Sequence, residues 1–185
     1  GEIQELALAT LTPIQNFPVV LGAIREGSES ATEYHRLAAR ALTYIFRDSL
    51  EHPHLEYPIN DGLKRVDISY TNRLNSGFFG WLSLHGGHLC PNVFVECKNY
   101  SNDLTNRELD QLSGRFSEYR GKVGLLLYRK ARNDEALLKK CNDVLRDGRG
   151  LILPLGDQEL LALHAANSPD QVFRLLKARY DQVVR

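Results

Sequence analysis

Two short stretches hold the residues whose types and spacing could do chemistry: Asn92-Val-Phe-Val-Glu-Cys-Lys98 and Lys64-Arg-Val-Asp-Ile-Ser-Tyr70. In the first, Glu96 and Lys98 alternate with Val95 and Cys97, so a strand would put carboxylate and ammonium on one face and the apolar pair on the other. They are either a surface ion pair or half of a site. In the second, Asp67 stands between Val66 and Ile68, both of which want burial, and a carboxylate inside an apolar strand is costly unless something pairs with it. If the two strands are neighbours, Asp67 stands across from Glu96, and two close carboxylates need a proton or a cation between them. A hard divalent cation such as Mg²⁺, with Mn²⁺ as substitute, is held by one or two carboxylates plus water and phosphate oxygens. Lys98, one step further on that face, could orient an attacking water or steady developing charge. Such parts suit hydrolysis of a phosphodiester.

These residues need elements to position them, and periodicity supplies a plan. Residues 13–26 give a weak helix closed by Gly27. From Thr32 to Arg47 apolar residues recur at three and four (Tyr34, Leu37, Ala38, Ala41, Leu42, Ile45, Phe46), an amphipathic helix with Ser30 or Thr32 as N-cap. Leu55–Ile59 and Lys64–Tyr70 read as strands around the turn Asn60-Asp61-Gly62. The glycine-broken aromatic stretch after residue 72 reads as an insertion with a helical piece, in which Phe78, Phe79 and Trp81 are expected to be core rather than a stacking platform for bases. NVFVECK follows as a strand, then a helix over Thr105–Tyr119 and Val123–Tyr128, apolar on both faces as a central strand requires. A helix over Asp134–Arg146, a strand over Leu151–Leu155 and helices over Asp157–His164 and Gln171–Val184 complete the chain. The plan predicts an α/β fold, a mixed sheet flanked by helices, with an N-terminal helical appendage over residues 1–29 and the main domain over 30–185.

The order of elements and motif together resemble the PD-(D/E)xK nuclease superfamily, the restriction-endonuclease-like fold, over roughly Thr32 to Lys130. The resemblance implies an αβββαβ core, extended here by extra C-terminal helices. It also implies a Mg²⁺-dependent endodeoxyribonuclease, a hydrolase of the kind found as effector in restriction and antiviral defence. Asp67 and Glu96 would bind the metal together with the main-chain carbonyl of Cys97, and Lys98 would serve catalysis. Glu33, from the first helix, and Gln111, from the helix after the motif, match supporting residues of some members. Val66 stands where many members carry proline, and Phe116 stands where the RecB-like Gln-x-x-x-x-Tyr pattern has tyrosine.

Composition narrows the setting. The 185 residues are 43% hydrophobic and 25% charged, with no apolar run long enough to span a bilayer. Cys90, Cys97 and Cys141 are odd in number and without paired spacing, which argues for a reducing, hence cytoplasmic, compartment. A chain that opens on Gly1 and holds no methionine is expected to have been processed or cut, so flanking residues or domains would stand outside it. With 23 basic and 23 acidic residues no global field draws it to nucleic acid. Local contacts to duplex DNA would fall to Arg65, Arg73, Asn99, Tyr100, Lys122 and Arg129, and double-strand cleavage would favour a homodimer. No sequence-reading module is visible, so targeting would come from a further domain or a partner subunit. Zinc at His85, His88 and Cys90 is the weaker metal reading, because no second ligand pair is near. His52 and His54 flank Pro53 in what reads as a solvated turn. The alternative to the enzyme is a catalytically inactive nuclease-fold domain that binds nucleic acid or a protein partner.

Overall fold

The computed structural model describes residues 12–56, 67–101 and 104–185, with the backbone alone for residues 56 and 67. The predicted turn at Asn60-Asp61-Gly62, with Arg65 and Val66, lies outside them. The described elements are α1 (Phe17–Ala23), α2 (Ala31–Ile45), β1 (Leu50–Glu56), β2 (Asp67–Asn72), α3 (Gly77–Leu84), β3 (Asn92–Lys98), α4 (Asn106–Ser113), β4 (Val123–Tyr128), α5 (Asp134–Arg146), β5 (Leu151–Leu155), α6 (Asp157–His164) and α7 (Pro169–Val184).

The strands form one open, mixed sheet in the order β1-β2-β3-β4-β5. β1, β2 and β3 are antiparallel neighbours; β3, β4 and β5 run parallel, joined through α4 and α5 as crossover connections demand. β4 and β5 are buried along their whole length. Helices cover both faces of the sheet. On one, Tyr70 Oη lies 2.9 Å from Thr43 Oγ1 of α2. On the other, the face of Phe94, Glu96 and Lys98, α4 approaches so closely that a Cβ on Gly124 would stand 2.9 Å from Leu112. All seven apolar residues predicted for the buried stripe of α2 are in the core. Phe78, Phe79 and Leu82 of α3 are buried as well. Phe78 and Trp81 meet Phe173 and Tyr180 of α7 at ring distances of 5.6–6.1 Å.

Several boundaries differ from the sequence plan. β1 takes in His52 and His54, read as a loop, and begins at Leu50 rather than Leu55. An edge strand tolerates Pro53, and the extra residue is absorbed by a bulge between Glu51 and His54 where His52 takes φ 51°. The helix predicted to reach Tyr119 stops at Ser113, with Gly114 as C-cap; Ser117 and Gly121 then pair in a tight turn that leaves Tyr119 94% exposed. Phe116 folds back beneath Gly150, where φ is 135° and any Cβ would stand 2.5 Å from its ring. The last helix takes in Pro169 at its first position, which the fixed φ of proline suits, behind Ser168 as N-cap.

The N-terminal segment is held to the body by Ile14, whose N–H donates to His164 Nε2 at 3.1 Å. Burial against Phe17 and Tyr44 lowers the pKa of His164 below the ordinary imidazole value. A depressed imidazole contributes fully above its unfolded value, and the contribution is lost as pH falls through that value toward the folded one. Protection of the Ile14 amide against hydrogen exchange, corrected for intrinsic rate, is therefore expected to drop between about pH 7 and about pH 5. Protection that stays constant across that range would refute the assignment.

Candidate active site

β3 places Glu96 and Lys98 on the α4 face near its C-terminal end. Neither is at the surface: Glu96 is 3% and Lys98 1% exposed. Lys98 Nζ donates to Glu96 Oε1 at 2.7 Å and to Gln111 Oε1 of α4 at 2.8 Å. The ammonium is thus wedged between a carboxylate and an amide oxygen. Desolvating such a pair costs about as much as its attraction returns, so burial of this kind is weak evidence for a merely stabilising role.

Gln111 reaches Lys98 because α4 is pinned one turn earlier. Glu108 is buried and accepts from Tyr100 Oη at 2.7 Å and, at its other oxygen, from Thr105 N and Oγ1 at 2.8 and 2.6 Å, closing a capping box. Burial alone would raise the pKa of Glu108, but these hydrogen bonds outweigh it and hold the carboxyl below its ordinary range. Three residues on, Gln111 shares its side of the helix. Tyr100 therefore serves α4 directly, whatever else it touches.

The antiparallel register pairs Ile68 with Val95 and Ser69 with Phe94. Position 67 begins β2 directly before Ile68, and Glu96 follows Val95 on β3. Cys97 faces the other way and is buried in the core, so its main-chain carbonyl alone is left as a candidate ligand. Glu33 is exposed in the first turn of α2, a position the helix dipole favours for an acid.

The predicted phosphate-contact residues are scattered. Arg73 and Lys122 lie at the far end of the sheet, about 20 Å and about 13 Å along the strands from Glu96. Arg73 is paired there with Glu51 at 3.0 Å, and Lys122 with Glu118. Asn99 and Arg129 are buried, and their polar groups are taken up inside the protein. Two cations not among the predicted phosphate contacts, Lys130 and Arg132, are exposed in the connection after β4, whose last residue, Tyr128, pairs with Lys98. Parallel register across crossovers would have marked them, since it brings the ends of β3 and β4 to one edge.

Among the described residues no group of three or more His, Cys, Asp and Glu is gathered as a metal would need. The zinc candidates are apart in function: Cys90 is buried and its sulfur accepts from Asn72 Nδ2 at 3.4 Å, while His88 Nε2 lies 3.3 Å from Tyr180 Oη. Among the described residues no helix is long and apolar enough to cross a membrane. No family model matches the chain, and neither a curated protein nor a solved structure matches it.

Proposed function

We propose that the protein is a divalent-metal-dependent endonuclease that hydrolyses phosphodiester bonds of DNA, the effector domain of a restriction or phage-defence system, built on a restriction-endonuclease-like core. The observation that carries this reading is the buried Lys98 held between Glu96 and Gln111, on a strand paired with the β2 strand that Asp67 begins. The order from α2 to β4 supports it, being helix, three strands, helix and strand once the inserted α3 between β2 and β3 is set aside.

The donor set suits a hard cation: carboxylates at 67 and 96 and the Cys97 carbonyl are all oxygen ligands, the kind Mg²⁺ and Mn²⁺ take. A cation bound there would supply Lewis-acid stabilisation of charge on the scissile phosphate. The chain's own residues do the positioning. Gln111 and Glu96 orient the Lys98 ammonium, which carries three donors. In the proposal one of them serves the attacking water or a phosphate oxygen as negative charge develops. Gln111, a neutral acceptor, fixes the direction of that donor without neutralising it.

Calorimetric titration with Mn²⁺ and a plasmid-nicking assay test the proposal together. Wild type is expected to bind Mn²⁺ and to nick supercoiled plasmid with Mg²⁺ or Mn²⁺, and Asp67→Ala to lose both by at least about tenfold, one carboxylate being half of the protein's charged ligands. Absence of binding in either protein, with plasmid left intact, would sink the nuclease reading and leave the inactive domain that binds nucleic acid or a protein.

A further inference from the structure

Lys98 pairs with Tyr128, so the next residues, Asn99 and Arg129, leave the sheet side by side. Both are buried, and one network joins them. The Arg129 guanidinium donates through Nη1 to Asn99 Oδ1 at 2.9 Å and to Ile24 O at 2.9 Å. Its Nη2 reaches Leu21 O at 3.0 Å, and its Nε reaches Asp157 Oδ2 at 2.7 Å. Asn99 Nδ2 donates to Arg25 O at 2.8 Å and Gly27 O at 2.9 Å, while its own carbonyl accepts from Gly27 N–H at 2.7 Å. The carbonyls of Leu21 and Ile24 belong to the end of α1, where helix carbonyls run short of partners; Leu21 O also accepts from Ile24 N–H at 3.2 Å.

The consequence is geometric. Residues 21–27 are clamped partly to Asn99, directly after Lys98, and partly to Arg129 beside it, and the same segment runs into α2, whose first turn carries Glu33. Two neighbouring side chains therefore set the end of β3 against the start of α2. They are also placed where the regular β3–β4 ladder stops, so their hydrogen bonds govern the chain direction at the Cys97 carbonyl and at Lys98.

We propose that Asn99 and Arg129 are positioning residues for the candidate site, locking the Cys97–Lys98 end of β3 to the α2 turn that presents Glu33. The proposal rests on the nuclease reading. A guanidinium suits the task because its planar fork reaches four acceptors at fixed angles, which a lysine ammonium cannot. Displacing reactive groups by about 1 Å costs about a hundredfold in rate, so a small relaxation of this clamp is visible in turnover before it is visible in folding.

Asn99→Ala, which keeps the Arg129–Asp157 ion pair, and Arg129→Lys, which keeps the charge, test it through plasmid-nicking kinetics against Mg²⁺ concentration and temperature. In each, kcat is expected to fall about 10- to 100-fold. The Mg²⁺ concentration for half-maximal rate should rise about tenfold, with KM for DNA within about twofold of wild type, because the clamp touches the metal end and not the DNA. The loss should persist at temperatures where melting curves show the variant fully folded. Wild-type kcat and Mg²⁺ dependence in a folded variant would overturn the proposal, as would full recovery of rate on cooling. Should Arg129→Lys fail to fold, Asn99→Ala decides alone. A wild-type protein that neither binds metal nor cuts DNA refutes the nuclease reading instead.

Discussion

Replacing Lys98 by methionine is expected to lower plasmid nicking by at least about a hundredfold, the cost of removing one aligned charge-stabilising donor. It is also expected to destabilise the fold, because Glu96 is 3% exposed and loses the ammonium that stands 2.7 Å away. Breaking a buried ion pair from one side costs about 3–5 kcal/mol. These two effects separate the readings of the site. If Glu96 and position 67 hold a cation, Mn²⁺ should restore part of the lost stability, raising the melting temperature more in Lys98→Met than in wild type. A paired change, Glu96→Gln with Lys98→Met, removes both charges and should recover most of the stability while cleavage stays absent. Full nicking activity in Lys98→Met would remove the lysine from the mechanism, and an Mn²⁺-independent melting temperature in all three proteins would reduce the pair to a structural one.

A stability effect of the same size is expected at Arg179, which reaches the hydroxyl of Tyr128 next to Lys98 in the sheet. Its guanidinium is 5% exposed and donates to Pro154 O at 2.7 Å, Tyr128 Oη at 3.0 Å, both oxygens of Asp134 at 2.8 and 2.9 Å, and Gln182 Oε1 at 3.0 Å. One side chain thus ties α7 to β5, β4 and the first turn of α5. Arg179→Ala is expected to cost about 3–5 kcal/mol, since the buried Pro154 carbonyl and Tyr128 hydroxyl each lose a partner at about 1–3 kcal/mol apiece, the exposed Asp134 adding little. That is a large share of the 5–15 kcal/mol typical of a whole domain. Urea unfolding should show a lower midpoint with an unchanged slope; an unaltered midpoint would refute the role. Hydrogen bonds from Arg179 hold the Asp134 carboxyl below its ordinary range. A carboxyl depressed in the folded state stabilises above its unfolded pKa, and the contribution is lost as pH falls through the folded one. In Arg179→Ala this part of the acid sensitivity should vanish.

Local pattern determined a good deal of this protein. β3 is found over the predicted residues, and so are β4, α5, β5 and α6, because strands buried on both faces and helices with one apolar stripe each declare themselves in a few consecutive residues. Alternation along NVFVECK was enough to put Glu96 and Lys98 on one face. It could not say whether that face was wet, and burial of both came only from α4 packing over them. Gln111 was named through its place in a family pattern, yet what brings it to Lys98 is the Glu108 capping box and the Tyr100 hydroxyl, contacts between elements.

The residues that sequence reading placed on DNA show the limit most clearly. Asn99 and Arg129 look like surface polar residues after two strands, since nothing adjacent to them in the chain reveals a partner. Their partners are backbone carbonyls of residues 21–27, more than 70 positions away. Arg73 and Lys122 failed to approach the site for a related reason: direction and register along the sheet decide which strand end a residue occupies, and charge does not. The sequence by itself determined which segments become strands and helices and which face carries the charged pair. Tertiary structure alone decided that the pair is buried and that the end of β3 is clamped to residues 21–27, because each depends on hydrogen bonds and packing between segments that no local pattern encodes.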